Sequence, residues 1–402
     1  MNDHAPCGGG AASTSSRRRR VVGVAAGLIV GAVTVGIDAA PTPVEASPGA
    51  GPAAIVSLGD SFISGEAGRW AGNSDSSWRS RRGTDRAYRR SGWFGWRYDR
   101  EAVYPGTVAN GCHRSDVAPI RSNDIPVDAK VNLACSGAAT DHVTDTAFKG
   151  EAPQSQQLIG VAQQHDVQMV VLSIGGNDLG FTEIILECTL RFATSPSVAP
   201  DLCKDDVQPS VDARLPAVMA DVGRSIDAIR TSMRSAGSAD DDYRLVVVSY
   251  PSPVPRGSEI RYPQAGWSRL TDGGCPFWNA DATWARDSLV AQIADGLRDV
   301  AAANGAEFLD LQDAFQGNEN CSVTANRPGR RGGPNPATSE WTRWVGSGLL
   351  QGDAQESVHP NAYGQQALGQ CLELLWFQSA GGEWACTNTP DRGPADMVLS
   401  PG

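Results

Sequence analysis

The sequence predicts an α/β fold, a three-layer α/β/α sandwich around a mostly parallel central sheet. Two patterns point to it. Four short, continuous apolar runs punctuate the chain, and stretches with apolar residues at helical spacing lie between and after them. A continuous apolar run, as opposed to strict alternation, marks a strand covered on both faces, which is the condition of a parallel sheet. Alternation of such strands with helices gives the layered arrangement.

The first run, Ile55-Val56-Ser57-Leu58, delivers the loop Gly59-Asp60-Ser61. The second, 167–174, ends in Gly175-Gly176-Asn177-Asp178, and the third, 245–249, ends in Tyr250-Pro251. Residues 307–311 make a fourth. Helical periodicity covers 211–236, 282–303 and 362–377, the last opening just after Pro360-Asn361. No internal repeat is present. Residues 47–386 read as one domain, with insertions at about 69–100 and at the Gly/Pro-rich stretch 326–338. Residues 387–402 read as a loose C-terminal tail.

The N-terminus differs in kind. Arg17 to Arg20 form a positive block, followed by an apolar run from Val21 to Ile37 that Asp38 breaks. A basic region, an apolar stretch and small residues at Val44-Glu45-Ala46 are the layout of an export signal, which makes residues 1–46 a signal peptide and the protein secreted. Ser16-Arg17-Arg18 loosely resembles a twin-arginine signal. The competing reading is an uncleaved membrane anchor, because about 17 apolar residues reach the short edge of a bilayer span. Without residues 1–46, which hold four arginines and three acids, the formal charge is −12. Sequence-independent nucleic-acid binding depends on neutralising phosphates, so an acidic chain is a poor candidate for it.

Nine cysteines are present, and Cys7 falls in the export segment. The remaining eight, an even number in an exported chain, read as four disulfides. Sequential pairing encloses short, loop-rich stretches: Cys112–Cys135, Cys188–Cys203, Cys275–Cys321 and Cys371–Cys386. A zinc site would need close Cys/His clusters such as C-x-x-C, and the sequence has none.

Four short blocks carry chemistry. In Gly59-Asp60-Ser61, a serine just past a strand end, flanked by glycine, can present its hydroxyl at the carboxyl edge of the sheet, where open α/β folds bind ligands. An ordinary Gly/Asp/Ser turn would read the same. In Ser136-Gly137-Ala138, glycine allows close approach of a backbone N–H to a ligand, as an oxyanion site needs, although a plain turn beside a disulfide also fits. In Gly175-Gly176-Asn177-Asp178, the Asn177 amide can donate toward developing negative charge; alternatively Asn177 or Asp178 caps the helix that follows. In Glu356-Ser357-Val358-His359-Pro360-Asn361, a histidine sits on a loop before a helix start, with an acid three residues earlier to orient its ring. Of the five histidines, His142 is the rival general base.

In this order the blocks resemble the SGNH hydrolases, also called GDSL esterases and lipases, and in particular their secreted, disulfide-bonded actinobacterial branch. The resemblance covers residues 55 to about 377, and the family letters fall on Ser61, Gly137, Asn177 and His359. It implies a flavodoxin-like sandwich, Ser61 as nucleophile and His359 as general base. It also implies an oxyanion hole made by the Ser61 and Gly137 amides and the Asn177 side chain, with no metal or other cofactor. Two positions depart from the pattern: Phe62 replaces the GDSL leucine, and Glu356 stands where the family has aspartate. Glu356 is a candidate third member, while some members use a backbone carbonyl of this loop instead; Asp60 reads as a structural hydrogen-bonder.

The implied reaction is hydrolysis of a small-molecule or lipid ester by a monomer, with acyl transfer and carbohydrate deacetylation as alternatives using the same serine. Residues 69–100 hold nine arginines, three aspartates and the aromatics Trp70, Trp78, Tyr88, Trp93, Trp96 and Tyr98. They read either as a segment held together by ion pairs and cation–π contacts, or as a contact for anionic substrates or transiently for an anionic lipid surface.

Overall fold

The computed structural model describes residues 51–92, 95–328, 332–346, 348 and 351–402. The export segment expected at 1–46 lies outside the described residues. A seven-stranded sheet forms the centre. Its strands are β1 (Ala53–Gly59), β4 (Ala129–Asn132), β5 (Asp166–Ser173), β6 (Arg244–Val248), β7 (Glu307–Asp310), β8 (Glu383–Thr387) and β9 (Val398–Pro401), in the order β4-β1-β5-β6-β7-β8-β9. All neighbours pair in parallel except β8 and β9. A separate hairpin joins β2 (Tyr88–Ser91) to β3 (Gly95–Tyr98).

The four apolar runs are the four consecutive strands β1, β5, β6 and β7. They are buried on both faces, β1, β5 and β6 being rich in valine and other aliphatics, and their side chains alternate between two cores. Val56, Leu58, Val170, Leu172 and Val247 face one core. It is closed by α3 (Gln154–Gln164), α4 (Phe181–Thr194), α5 (Lys204–Ser235) and α7 (Ala291–Ala303). Ile55, Met169, Val171, Val246 and Leu309 face the other, closed mainly by Leu368, Leu372 and Leu375 of α8 (Ala362–Trp376). The result is the three-layer sandwich that the alternation predicts. Two short helices, α1 (Ser61–Ser64) and α2 (Thr140–Thr144), follow β1 and β4, and α6 (Asn279–Trp284) precedes α7.

The end of the chain corrects the expectation of a loose tail. Within 387–402, β9 pairs antiparallel with β8 and closes the sheet edge, and Cys371–Cys386 ties α8 to β8. β8 reads EWACT and β9 reads VLSP. Neither carries the apolar run of a strand buried on both faces, because they lie at a half-exposed edge. The other cysteines are joined as Cys112–Cys135, Cys188–Cys203 and Cys275–Cys321.

Strand order positions the site. Leaving β1, the chain goes to β4 on one side and then crosses back to β5 on the other. The carboxyl ends of β1 and β5 therefore flank the point where the winding reverses, the crevice in which doubly wound folds bind ligands. The segment 69–100 lies over one side of it. Trp70 is fully buried, its carbonyl accepts from Ala362 N at 2.7 Å, and Arg69 forms a two-point pair with Asp85 at 2.8 and 2.6 Å. Its inner half is thus core, and the β2–β3 hairpin is its exposed half, where Trp96 is 60% exposed.

Candidate active site

Ser61 is the first residue of α1, directly after β1. The turn is tight: Asp60 N donates to Ser173 O at 3.0 Å, and Gly59 has φ 136°. A Cβ at Gly59 would stand 1.9 Å from Ser173 O, so only glycine lets β1 end this close to β5. Asp60 caps α1 by accepting from Phe62 N at 3.0 Å, and its other oxygen accepts from the Tyr250 hydroxyl at 2.5 Å. Burial raises Asp60 to about 7, with those two hydrogen bonds pulling it back down. The Ser61 amide, at the helix start, has no acceptor among the described residues.

His359 meets this serine from the loop before α8, with the hydroxyl Oγ 2.6 Å from Nε2. On its far side, Nδ1–H donates to the backbone carbonyl of Ser357 at 2.9 Å. That pair of bonds leaves Nε2 as the acceptor for the serine proton. The loop is pinned to a neighbouring segment: Arg343 N donates to His359 O at 2.8 Å and Val358 N to Arg343 O at 2.9 Å. Val358 takes a positive φ of 57°, the strained link that turns the Ser357 carbonyl under the ring. Asn361 then caps α8, accepting from Tyr363 N at 2.9 Å. The Phe62 ring packs 4.9 Å from the imidazole. Burial lowers the His359 pKa, and the nearby Glu66 carboxylate raises it in part.

Glu356 does not reach the imidazole. It is fully buried, and its Oε2 accepts from Trp70 Nε1 at 2.8 Å and from Asp353 N at 2.9 Å. The expectation of Glu356 as a third member is corrected on that geometry: the carboxylate braces the loop from beneath, and the Ser357 carbonyl occupies the orienting position. His142, the rival base, accepts from Ala139 N through Nδ1 at 2.8 Å and packs on Phe148 at 4.0 Å. The first contact belongs to the start of α2 and the second to the turn that follows it.

Gly137 follows Cys135, whose N donates to Gly59 O at 3.0 Å, so the loop after β4 is stitched to the loop after β1. Gly137 has φ 85°, and its amide has no acceptor among the described residues. Asn177 reaches the same loop from β5, one amide N–H donating to Ala138 O at 2.7 Å and leaving the second N–H for a ligand. Asp178, expected as a cap for the helix that follows, instead accepts from Thr140 N at 3.2 Å and Thr140 Oγ1 at 2.6 Å at the start of α2. Leu179 and Gly180 intervene before α4 begins, which puts its first turn beyond the reach of Asp178.

Sequence reasoning missed the pieces that lock these loops together. Tyr250 bridges two of them, donating to Asp60 and accepting from Gly176 N at 3.0 Å; its only signal was its place at the end of the third apolar run. The buried pair Glu66 and His113, at 2.8 Å, lies behind the histidine loop, and His113 also contacts Gln355 at 2.8 Å. Among the described residues, no group of three or more His, Cys, Asp or Glu side chains is arranged to hold a metal ion.

Comparison with known proteins adds to this picture. An esterase from Streptomyces scabiei is 25% identical over 247 residues, which cover 56% of this chain and 65% of that protein. The chain thus spans less than two thirds of that relative's length. Among solved structures, an extracellular lipase from Streptomyces rimosus is 21% identical with a TM-score of 0.47, over 81% of this chain and 100% of that one. A phospholipase A1 from Streptomyces albidoflavus NA297 is 20% identical with a TM-score of 0.41, over 81% and 99%. The model of the GDSL-like lipase/acylhydrolase family matches residues 57–367, a span that runs from β1 through the nucleophile turn and the histidine loop into α8. On that match, the chain belongs to the GDSL-like lipase/acylhydrolase family.

Proposed function

We propose that the protein is an exported carboxylic ester hydrolase that works through an acyl-enzyme on Ser61. The observation that carries this reading is the 2.6 Å approach of Ser61 Oγ to His359 Nε2, with the imidazole fixed from behind by the Ser357 carbonyl. In the first step Oγ attacks the ester carbonyl carbon and its proton passes to Nε2. The carbonyl π-bond electrons move onto oxygen, which the Ser61 and Gly137 amides and the free Asn177 N–H receive; each such donor is typically worth about 3–4 kcal/mol. Collapse expels the alkoxide, which takes the proton back from Nε2 and leaves as the alcohol. Water, deprotonated by the same nitrogen, then hydrolyses the acyl-serine and returns the enzyme.

The imidazolium formed midway is stabilised by the Ser357 carbonyl dipole. Export is supported by the basic–apolar–small N-terminal sequence and by four disulfides, which persist in oxidising compartments. Among the described residues, no helix is long and apolar enough to cross a membrane. The exposed hairpin, with Arg89, Arg90, Arg97 and Trp96 at its surface, suits transient contact with an anionic lipid surface.

Turnover of p-nitrophenyl esters from acetate to palmitate by wild type and Ser61→Ala tests the reading. Wild-type turnover that Ser61→Ala lacks supports it, and the chain length of best turnover gives the acyl preference. Equal turnover by the two proteins sinks it.

A further inference from the structure

A cation stands behind the oxyanion loop. Lys149 Nζ donates to the carbonyl oxygens of Ser136 at 2.6 Å and Gly111 at 2.7 Å. A two-residue hairpin turn puts it there. Phe148 and Glu151 exchange both backbone hydrogen bonds at 2.9 Å, and Lys149 and Gly150 take φ of 49° and 81° between them. Positive φ at both central residues is what such a turn requires, and it is unfavourable for lysine. The turn is held from outside. Glu151 accepts from Arg114 at 2.9 and 2.5 Å and from Asn110 at 2.7 Å. Arg114 also donates to Ala134 O at 2.8 Å and Leu133 O at 3.0 Å, on the chain leading into the oxyanion loop.

The Ser136 carbonyl and the Gly137 N–H belong to one peptide unit. A trans peptide is planar, with its C=O and N–H pointing in opposite directions. Fixing the oxygen therefore fixes the direction of the Gly137 N–H, which no acceptor among the described residues takes. The ammonium held against the oxygen also polarises the unit and makes its N–H a stronger donor.

We propose that Lys149 is a positioning residue that aims and polarises the Gly137 donor toward the oxyanion. This inference rests on the Ser61 acyl-enzyme reading. Its effect falls on the transition state, because the oxygen gains its charge only as Ser61 attacks. Partial desolvation of the ammonium lowers the Lys149 pKa, and the Glu66 carboxylate opposes the drop.

The plainer alternative is a staple between the Gly111 and Ser136 loops, and kinetics separate the two. Lys149→Met, Lys149→Arg, Ser61→Ala and wild type are compared on p-nitrophenyl butyrate, with inhibition by phenylboronic acid, which forms a tetrahedral serine adduct, and with thermal melting. The expected result for Lys149→Met is a kcat lower by about 10- to 100-fold, a KM within about twofold, and a boronate affinity lower by a similar factor. Lys149→Arg, which keeps a cationic donor, recovers most of both. A Lys149→Met kcat within about twofold of wild type overturns the proposal. So does a loss carried by KM, or an equal loss in Lys149→Arg, since a displaced loop would give either. If Ser61→Ala turns over as fast as wild type, it is the acyl-enzyme reading that has failed. If Ser61→Ala is inactive and Lys149→Met is normal, only the role of Lys149 has failed.

Discussion

The Nδ1–H of His359 donates to the backbone carbonyl of Ser357, two residues earlier, at 2.9 Å. A main-chain dipole thus stands where a carboxylate would complete a side-chain triad. The carboxylate offered by the sequence, Glu356, lies beneath the loop, bonded to Trp70 and Asp353. Orientation of the imidazole then depends on the shape of the 353–359 loop, and Glu356 maintains that shape.

Neutralising Glu356 therefore has a small effect on chemistry. Glutamine keeps an acceptor for Trp70 and Asp353 but removes the charge. The expected kcat/KM for Glu356→Gln is within about tenfold of wild type, whereas losing the acid of a side-chain triad costs roughly 10⁴. Glu356→Ala leaves the buried Trp70 Nε1–H without an acceptor, a cost of about 1–3 kcal/mol, and removes a half-buried acceptor from Asp353 N, read as a lower denaturation midpoint. A loss near 10⁴ in the glutamine variant would restore Glu356 as the triad acid.

The acidic limb of the rate profile reports His359. Burial is the largest influence and lowers its pKa below the ordinary 6.5, so kcat/KM should rise with a midpoint below 6.5 and stay level through neutrality. Glu66 opposes this, because its negative charge favours the imidazolium. Glu66→Gln removes that charge and should move the midpoint further down. An upward shift would show that Glu66 is not coupled to the histidine in this sense.

Asp60 makes stability depend on pH. Its pKa rises from 3.8 to about 7 on folding, chiefly by burial. Between those values the unfolded chain has released the proton and the folded chain has not, so stability attributable to Asp60 is lost as pH rises through this window and stays lost above it. Asp60→Asn has no such term. Its stability relative to wild type should climb by a few kcal/mol between pH values of about 4 and 8, on top of any constant cost from its contact with Tyr250. Denaturation midpoints across that range check it, and a constant difference would contradict it.

How much of this was legible in sequence follows from where each residue's constraint resides. The four central strands show as apolar runs because both of their faces are buried. β4, reading AKVN, and β8–β9 lie toward the sheet edges and carry mixed sequences, so they left no such signal. Ser61, Gly137, Asn177 and His359 stand in short glycine- or proline-marked loops, and three of those loops follow strands at the reversal of the sheet. The orienter of His359 could not be read from residue types, because a backbone carbonyl has none, and the family resemblance offered a loop carbonyl only as an alternative to Glu356. Lys149 and Tyr250 were hidden for a related reason: each acts through a long side chain on a loop remote in sequence, and neither lies in a motif.

The central claim is covalent, and the covalent species is its most direct test. Wild-type protein mixed with p-nitrophenyl acetate, quenched in acid during turnover and digested, is examined by mass spectrometry. The account predicts an acetyl group on Ser61, present during turnover, gone once substrate is exhausted, and absent from Ser61→Ala. Steady turnover with Ser61 unmodified, or acetylation of another residue that accounts for the turnover, would contradict it.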